Sequence, residues 1–179
     1  MVEQTEQFGT GHAVHCALPE LRAEAKVVIL YGDVPLITPA TISTMLAAVD
    51  DSHIALLTID LTDPSGYGRI IRDSGGQIEA IIEQKDASPD QLHISEVNTG
   101  VMALTTELLA NWLPQIGNNN TQGEYYLTDL IAIARNNGFR VNAVQPISAS
   151  EVEGINSRSQ LAALERVYQL QLADKVMAS

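Results

Sequence analysis

The sequence has 179 residues, enough for one domain with a sizeable core, and 45% of them are hydrophobic while 18% are charged. Its 22 acidic residues against 10 basic ones give a formal charge of -12, which argues against a nucleic-acid surface and lets an anionic small molecule in only where a divalent metal or local donors offset the field. Cys16 is the one cysteine, so intrachain disulfides and thiolate clusters are excluded. The acidic start Met1-Val-Glu-Gln-Thr-Glu and the lack of a long apolar run point to a cytoplasmic chain with no leader and no membrane span.

Residues 1–11 are polar and end in Phe8-Gly-Thr-Gly11. A helix is predicted over His12 to Leu21, with Ala13, Val14, Ala17 and Leu21 on one stripe and Cys16 as a buried, inert thiol. Val27 to Tyr31 reads as a short strand, apolar on both faces and therefore central, which implies further sheet upstream of this chain. Thr38 caps a helix that begins at Pro39 and runs to about Val49, buried through Ile42, Met45, Leu46 and Val49. His53 to Leu61 is a second apolar strand. Turn residues fill Asp63 to Gly68, and a hairpin follows, turning at Ser74-Gly75-Gly76. Val97 to Leu104 is strand-like. Thr105 caps a helix to Trp112, which Pro114 ends. Thr128 to Asn137 is helical and stopped by Gly138, and Arg140 to Val144 makes another strand. Asn156 to Met177 is a long helix with Leu161, Leu164, Tyr168 and Leu172 in register. This order predicts a three-layer α/β domain, with a mostly parallel sheet and the hairpin as its antiparallel flank.

Ligands in such folds gather beyond the carboxyl ends of strands. Asp33 stands at one of these ends after Gly32, which lets the backbone turn and a ligand come close; it either holds a metal or ties its own turn together. Gly9-Thr10-Gly11 offers free N–H groups to a phosphate or carbonyl, or else forms a flexible cap. Gly68 follows a turn that Pro64 and Gly66 already specify. Glu83 either accepts sugar hydroxyls or sits on a solvated edge. Asn98 has the donors and acceptor for an acetamido group, or bridges backbone groups. Tyr126 precedes Thr128, and both Thr128 and Asn156 have the alternative of being helix caps. His12, His15, His53 and His93 form no metal pattern and read as structural or surface residues. P-loop, esterase-elbow and zinc-protease motifs are absent.

Together the stretches QTEQFGTGHA, LYGDVPLI, DPSGYGRI, IIEQKDA, EVNTGVMA, NNNTQGEYYLTD and EVEGINSR resemble the uridylyltransferase domain of the bacterial bifunctional N-acetylglucosamine-1-phosphate uridylyltransferase/glucosamine-1-phosphate acetyltransferase family, almost end to end. The resemblance implies a Rossmann-like nucleotidyltransferase fold. The implied reaction joins UTP and N-acetylglucosamine 1-phosphate into UDP-N-acetylglucosamine and pyrophosphate, for peptidoglycan and lipopolysaccharide synthesis. It further implies that Gln4, Gly9 and Thr10 contact the uracil side, that Tyr31 and Gly32 touch substrate, and that the catalytic carboxylate Asp33 and the amide of Asn156 hold Mg2+. By the same likeness Gly68, Glu83, Asn98, Tyr126 and Thr128 line the amino-sugar pocket.

Two departures from the family pattern stand out. The glycine-rich loop L-x-A-G-x-G-x-x-M and a following lysine, which bind the UTP phosphates in the family, are missing, and so is the C-terminal left-handed β-helix with its acetyltransferase and trimer contacts. The expectation is a partial uridylyltransferase domain over residues 1–179, lacking its N-terminal portion and inactive by itself, whose residues 156–179 lead toward the absent domain. Two alternatives are another sugar-phosphate nucleotidyltransferase and a non-catalytic UDP-sugar-binding fragment.

Overall fold

A computed structural model describes residues 2–178. Six strands and five α-helices follow in the order α1 (Thr10–Ala17), β1 (Lys26–Ile29), α2 (Pro39–Ala47), β2 (His53–Asp60), β3 (Arg69–Arg72), β4 (Ile78–Ile82), β5 (Glu96–Thr105), α3 (Thr106–Trp112), α4 (Asp129–Asn136), β6 (Arg140–Val144) and α5 (Arg158–Met177). The strands form one mixed sheet in the order β4-β3-β5-β2-β6, with β1 also on β5. Alternation along the strands divides the core. Ile54 and Leu56 of β2 and Met102 and Leu104 of β5 face Leu109, Trp112, Leu130 and Ile131 of α3 and α4. Ala55, Leu57, Val101 and Ala103 face the other way, towards Met45 and Val49 at α2. A period of two on both strands thus yields three layers, as the pattern predicts.

The local signals behave as their chemistry requires. Thr38 accepts from the Thr41 N–H at the start of α2 with Pro39 in the first turn, and Thr105 does the same for Leu108 in α3. Gly138 follows α4 at φ 80, a left-handed position that a β-carbon disfavours. The hairpin closes where expected, with Asp73 Oδ1 accepting from the N–H groups of Gly75 and Gln77 at 2.9 Å each.

Several expectations need correction. The sheet is not mostly parallel: β5 is antiparallel to β1, β2 and β3, and β3 is antiparallel to β4. Only β2 and β6 pair in parallel. β1, β2 and β6 do point one way, but β5 intercalates between β1 and β2 and reverses the direct pairings. A strand that is apolar on both faces carries no mark of its direction. β1 pairs with β5 alone among the described residues and is half-buried rather than enclosed. Cys16 is half-buried, its sulfur 3.7 Å from His12 Nε2. On α5 only Leu164 is buried, while Leu161, Tyr168 and Leu172 are exposed.

A β-bulge interrupts the pairing of β2 with β5. Leu56 pairs with Met102, yet Thr58 pairs with Asn98, so β5 spends extra residues at Thr99 to Val101. Gly100 sits there at φ 86, and Thr99 Oγ1 donates to the Leu57 carbonyl at 2.8 Å. On the opposite edge of β5, β1 reaches only to Met102 and β3 only to Val97. Between them the Asn98 N–H donates to the Gly68 carbonyl at 2.9 Å, and among the described residues no strand pairs with Thr99 to Val101 on this edge. Bulges bring this kind of interrupted pairing beside functional sites.

Candidate active site

A cleft of about 460 Å³ occupies that gap, lined by Tyr31 and Asp33 beyond β1, Gly68 before β3, Glu83 beyond β4, Asn98 to Gly100 on the bulge, and Gly154 and Asn156 before α5. Asp33 and Glu83 stand just beyond strand ends, Asn156 just before α5 and Asn98 on the bulge within β5, so rigid elements hold these side chains in place.

The Asp33 carbonyl accepts from the Ile155 N–H at 2.9 Å, which joins the loop after β1 to the loop before α5. Gly154 shows how close the two walls come. A β-carbon there would stand 3.4 Å from Asp33 Oδ2 and 3.7 Å from Asn156 Nδ2. Asp33 and Asn156, far apart in sequence, therefore converge on one point. Asn156 is not the helix cap; the Ser157 hydroxyl accepts from the Gln160 N–H and does that work. Asn156 has its Nδ2 on this side, and a half-turn of the amide about its last bond would bring its oxygen to the same point. A carboxylate with an amide oxygen is a hard donor set that suits Mg2+, which takes one or two protein oxygens and keeps its other positions for water and phosphate. The residues present fit that ion. Among the described residues no cluster of three or more His, Cys, Asp or Glu offers a rival metal site.

On the opposite wall, a β-carbon at Gly68 would lie 3.4 Å from both Glu83 carboxylate oxygens, so the glycine leaves the carboxylate room. Thr128 makes no cap bond for α4; its hydroxyl donates to Glu83 Oε1 at 3.2 Å. Burial pushes the Glu83 carboxyl above its ordinary range, Thr128 opposes this, and Asp86 and Asp129 add to it. Asn98 is buried with its Oδ1 accepting from the Gly100 N–H at 2.9 Å. The bridging reading of this residue holds, since the amide braces the bulge, and the residue also lines the cleft. Tyr31 closes one end. Its ring lies where a Gly100 β-carbon would stand, 2.1 Å from Tyr31 Cε2, so no other residue fits at position 100. Burial, with help from Glu83, pushes the phenol pKa up, against a hydrogen bond to Thr10.

The remaining predicted residues lie around this centre. Thr10 and Gly32 line a hollow of about 170 Å³ that shares Tyr31 with the cleft. Tyr126 and Thr128 line another of about 220 Å³ that shares Glu83, and the Tyr126 hydroxyl accepts from Gln122 Nε2 at 2.8 Å. Gln4 is bound to His12 Nδ1 at 3.0 Å. Gly9 and Gly11 make room for the backbone of Tyr125, whose carbonyl accepts from the Gly11 N–H at 2.8 Å. Sequence reasoning passed over Gly100, Gly154 and Glu151. The Gly in EVEGIN, two residues before the candidate amide, was the available signal for Gly154.

The family described as the MobA-like NTP transferase domain matches residues 1–90. The chain is 57% identical over 176 residues to the bifunctional protein GlmU of Cellvibrio japonicus, covering 98% of this chain and 39% of that protein. It is 56% identical over 177 residues to the bifunctional protein GlmU of Azotobacter vinelandii, covering 99% and 39%. The chain thus spans about 39% of the length of these relatives. Among solved structures, UDP-glucose pyrophosphorylase complexed with UDP-glucose superposes with a TM-score of 0.68 at 16% identity, covering 94% of this chain and 64% of that one. A nucleotidyl transferase from Methanothermobacter superposes with a TM-score of 0.52 at 16% identity, covering 89% and 57%. These two likenesses show a shared Rossmann-like nucleotidyltransferase fold.

Proposed function

The chain belongs to the family of MobA-like NTP transferase domains, and from that premise we propose that its cleft serves uridylyl transfer from UTP to N-acetylglucosamine 1-phosphate, giving UDP-N-acetylglucosamine and pyrophosphate. The observation that carries this reading is the convergence of Asp33 and Asn156 beside Gly154, on a cleft that also holds Gly68, Glu83 and Asn98. In such a transfer a phosphate oxygen of the sugar phosphate attacks the α-phosphorus of UTP and pyrophosphate leaves, so no protein nucleophile is required. The similarity at 57% to a bifunctional GlmU supports the same assignment.

The geometry supports a role for each residue. Among the described residues lining the cleft there is no Lys or Arg, while Asp33 and Glu83 bring carboxylates. An anionic substrate entering here needs a counter-charge, and Mg2+ held by Asp33 and Asn156 would supply it by neutralising phosphate oxygens. Glu83, with one oxygen on Thr128, keeps its other oxygen for sugar hydroxyls. Asn98, its oxygen committed to Gly100, has its Nδ2 left to donate to an acetyl carbonyl. Tyr31 holds its ring rigidly between the cleft and the Thr10 hollow.

Calorimetric titration of UDP-N-acetylglucosamine into the purified chain with Mg2+ tests this, with UDP-glucose and UDP-glucosamine alongside. Tightest binding is expected for the N-acetylated sugar, weakened at least ~10-fold by EDTA or by Asp33→Ala. Absence of binding, or binding indifferent to both treatments, would overturn the assignment. A preference for UDP-glucose would favour another sugar-phosphate nucleotidyltransferase.

A further inference from the structure

We propose that Glu151 is the positioning residue that fixes the separation of Asp33 and Asn156. This rests on the reading of those two residues as a divalent-cation site. Glu151 touches neither of them. It is a charged side chain that is only 2% exposed, on a helical turn before the segment that carries Gly154 and Asn156.

Its two carboxylate oxygens serve opposite sides. Oε2 accepts from the Thr38 N–H at 3.0 Å, the Thr38 hydroxyl at 2.9 Å and the Thr41 hydroxyl at 2.6 Å. Oε1 accepts from the N–H groups of Ile147 at 2.9 Å and Ser148 at 3.3 Å. One oxygen thus holds the start of α2, where the loop bearing Asp33 ends, and the other folds its own loop into a capping box. Among the described residues hydrogen bonds join the two walls of the cation site at two places: the Asp33 carbonyl on the Ile155 N–H, and Glu151. The first is a single backbone bond beside solvent. The second is a buried carboxylate that satisfies several otherwise orphaned donors, and such groups hold one geometry because every displacement strands a polar atom. A Met or Leu would fill the space without fixing the distance between the loops. A carboxylate at this point is explained by the need to hold Asp33 and Asn156 in register for an ion that tolerates little misplacement.

The test is Mn2+ binding to the 179-residue chain in the presence of UDP-N-acetylglucosamine, followed by electron paramagnetic resonance, which needs no turnover. Glu151→Ala is expected to weaken Mn2+ binding about 10-fold or more. Glu151→Gln keeps an oxygen for Ile147 and Ser148 but turns an N–H group on the Thr38 N–H, and is expected to lose about threefold; it also serves if the alanine variant does not fold. Leu109→Ala, in the core on the other side of the sheet, should lower the melting temperature and leave Mn2+ affinity within twofold. Should both Glu151 variants bind Mn2+ like the unsubstituted chain, or Leu109→Ala weaken it as much as Glu151→Ala, the positioning role is overturned. Failure of the underlying reading shows separately: Asp33→Ala would then bind Mn2+ as tightly as the unsubstituted chain, or that chain would bind none.

Discussion

Glu83 lies between the cleft and the smaller Tyr126 hollow, and its raised carboxyl pKa records the cost of placing a charge there: burial first, then Asp86 and Asp129. When a carboxylate has a folded-state pKa above its ordinary ~4.3, the ionised form is the destabilised one. The penalty is complete above the raised pKa and vanishes below the ordinary one. Glu83→Gln keeps an oxygen for the Thr128 hydroxyl and removes the charge. It should therefore raise the melting temperature at pH 7 to 8 by about 2 °C or more, with the difference from the unsubstituted chain gone near pH 4, while UDP-N-acetylglucosamine affinity falls. Thermal melts across that range check it; an equal or lower melting temperature at neutral pH would contradict the electrostatic account. Glu83 and Asp33 were legible because each follows a strand in a local pattern. Glu151 and the Tyr31–Gly100 contact were not, because their partners lie far away in sequence: the Glu151 bonds to Thr38 and Thr41 span 113 and 110 positions, and no local spacing announces such a match.

Local chemistry located the elements well, since caps, turn glycines and a period of two act within a few residues. Strand direction is set by which strand slides in beside which. The intercalation of β5 was invisible for that reason, and with it the bulge that opens the cleft. α5 shows the converse limit. Its periodicity predicts a buried stripe, yet Leu164 is its only buried residue, because periodicity shows that a face is apolar but not that anything covers it. A helix with so little packing is held mainly by its own hydrogen bonds, which are marginal in water. Amides over residues 168–177 should exchange with solvent deuterium at least ~100-fold faster than those of Met102 to Leu104 in β5, as measured by hydrogen-exchange mass spectrometry. Protection of the two segments to the same degree would mean that α5 is covered in solution.

Over the whole molecule, a formal charge of -12 surrounds a cleft that is proposed to take a polyphosphate, and among its described lining residues there is no Lys or Arg. Most phosphate-binding proteins lose affinity as salt rises, because salt screens their attraction. Here the long-range field repels the ligand, and screening should help it. At ~10 mM monovalent salt the Debye length is about 30 Å, comparable with the molecule; at ~150 mM it is about 8 Å, and only nearby charges count. In EDTA, with no divalent ion, the affinity for UDP-N-acetylglucosamine should therefore rise about two- to threefold over that interval. With Mg2+ saturating the Asp33–Asn156 pair the dependence should flatten, since the ion cancels charge at the point of contact rather than at a distance. The two titration series separate a local counter-charge from the global one. An affinity that falls with salt in EDTA would mean that cationic side chains outside the cleft lining draw the phosphates in, and a divalent ion would no longer be needed to bring them there.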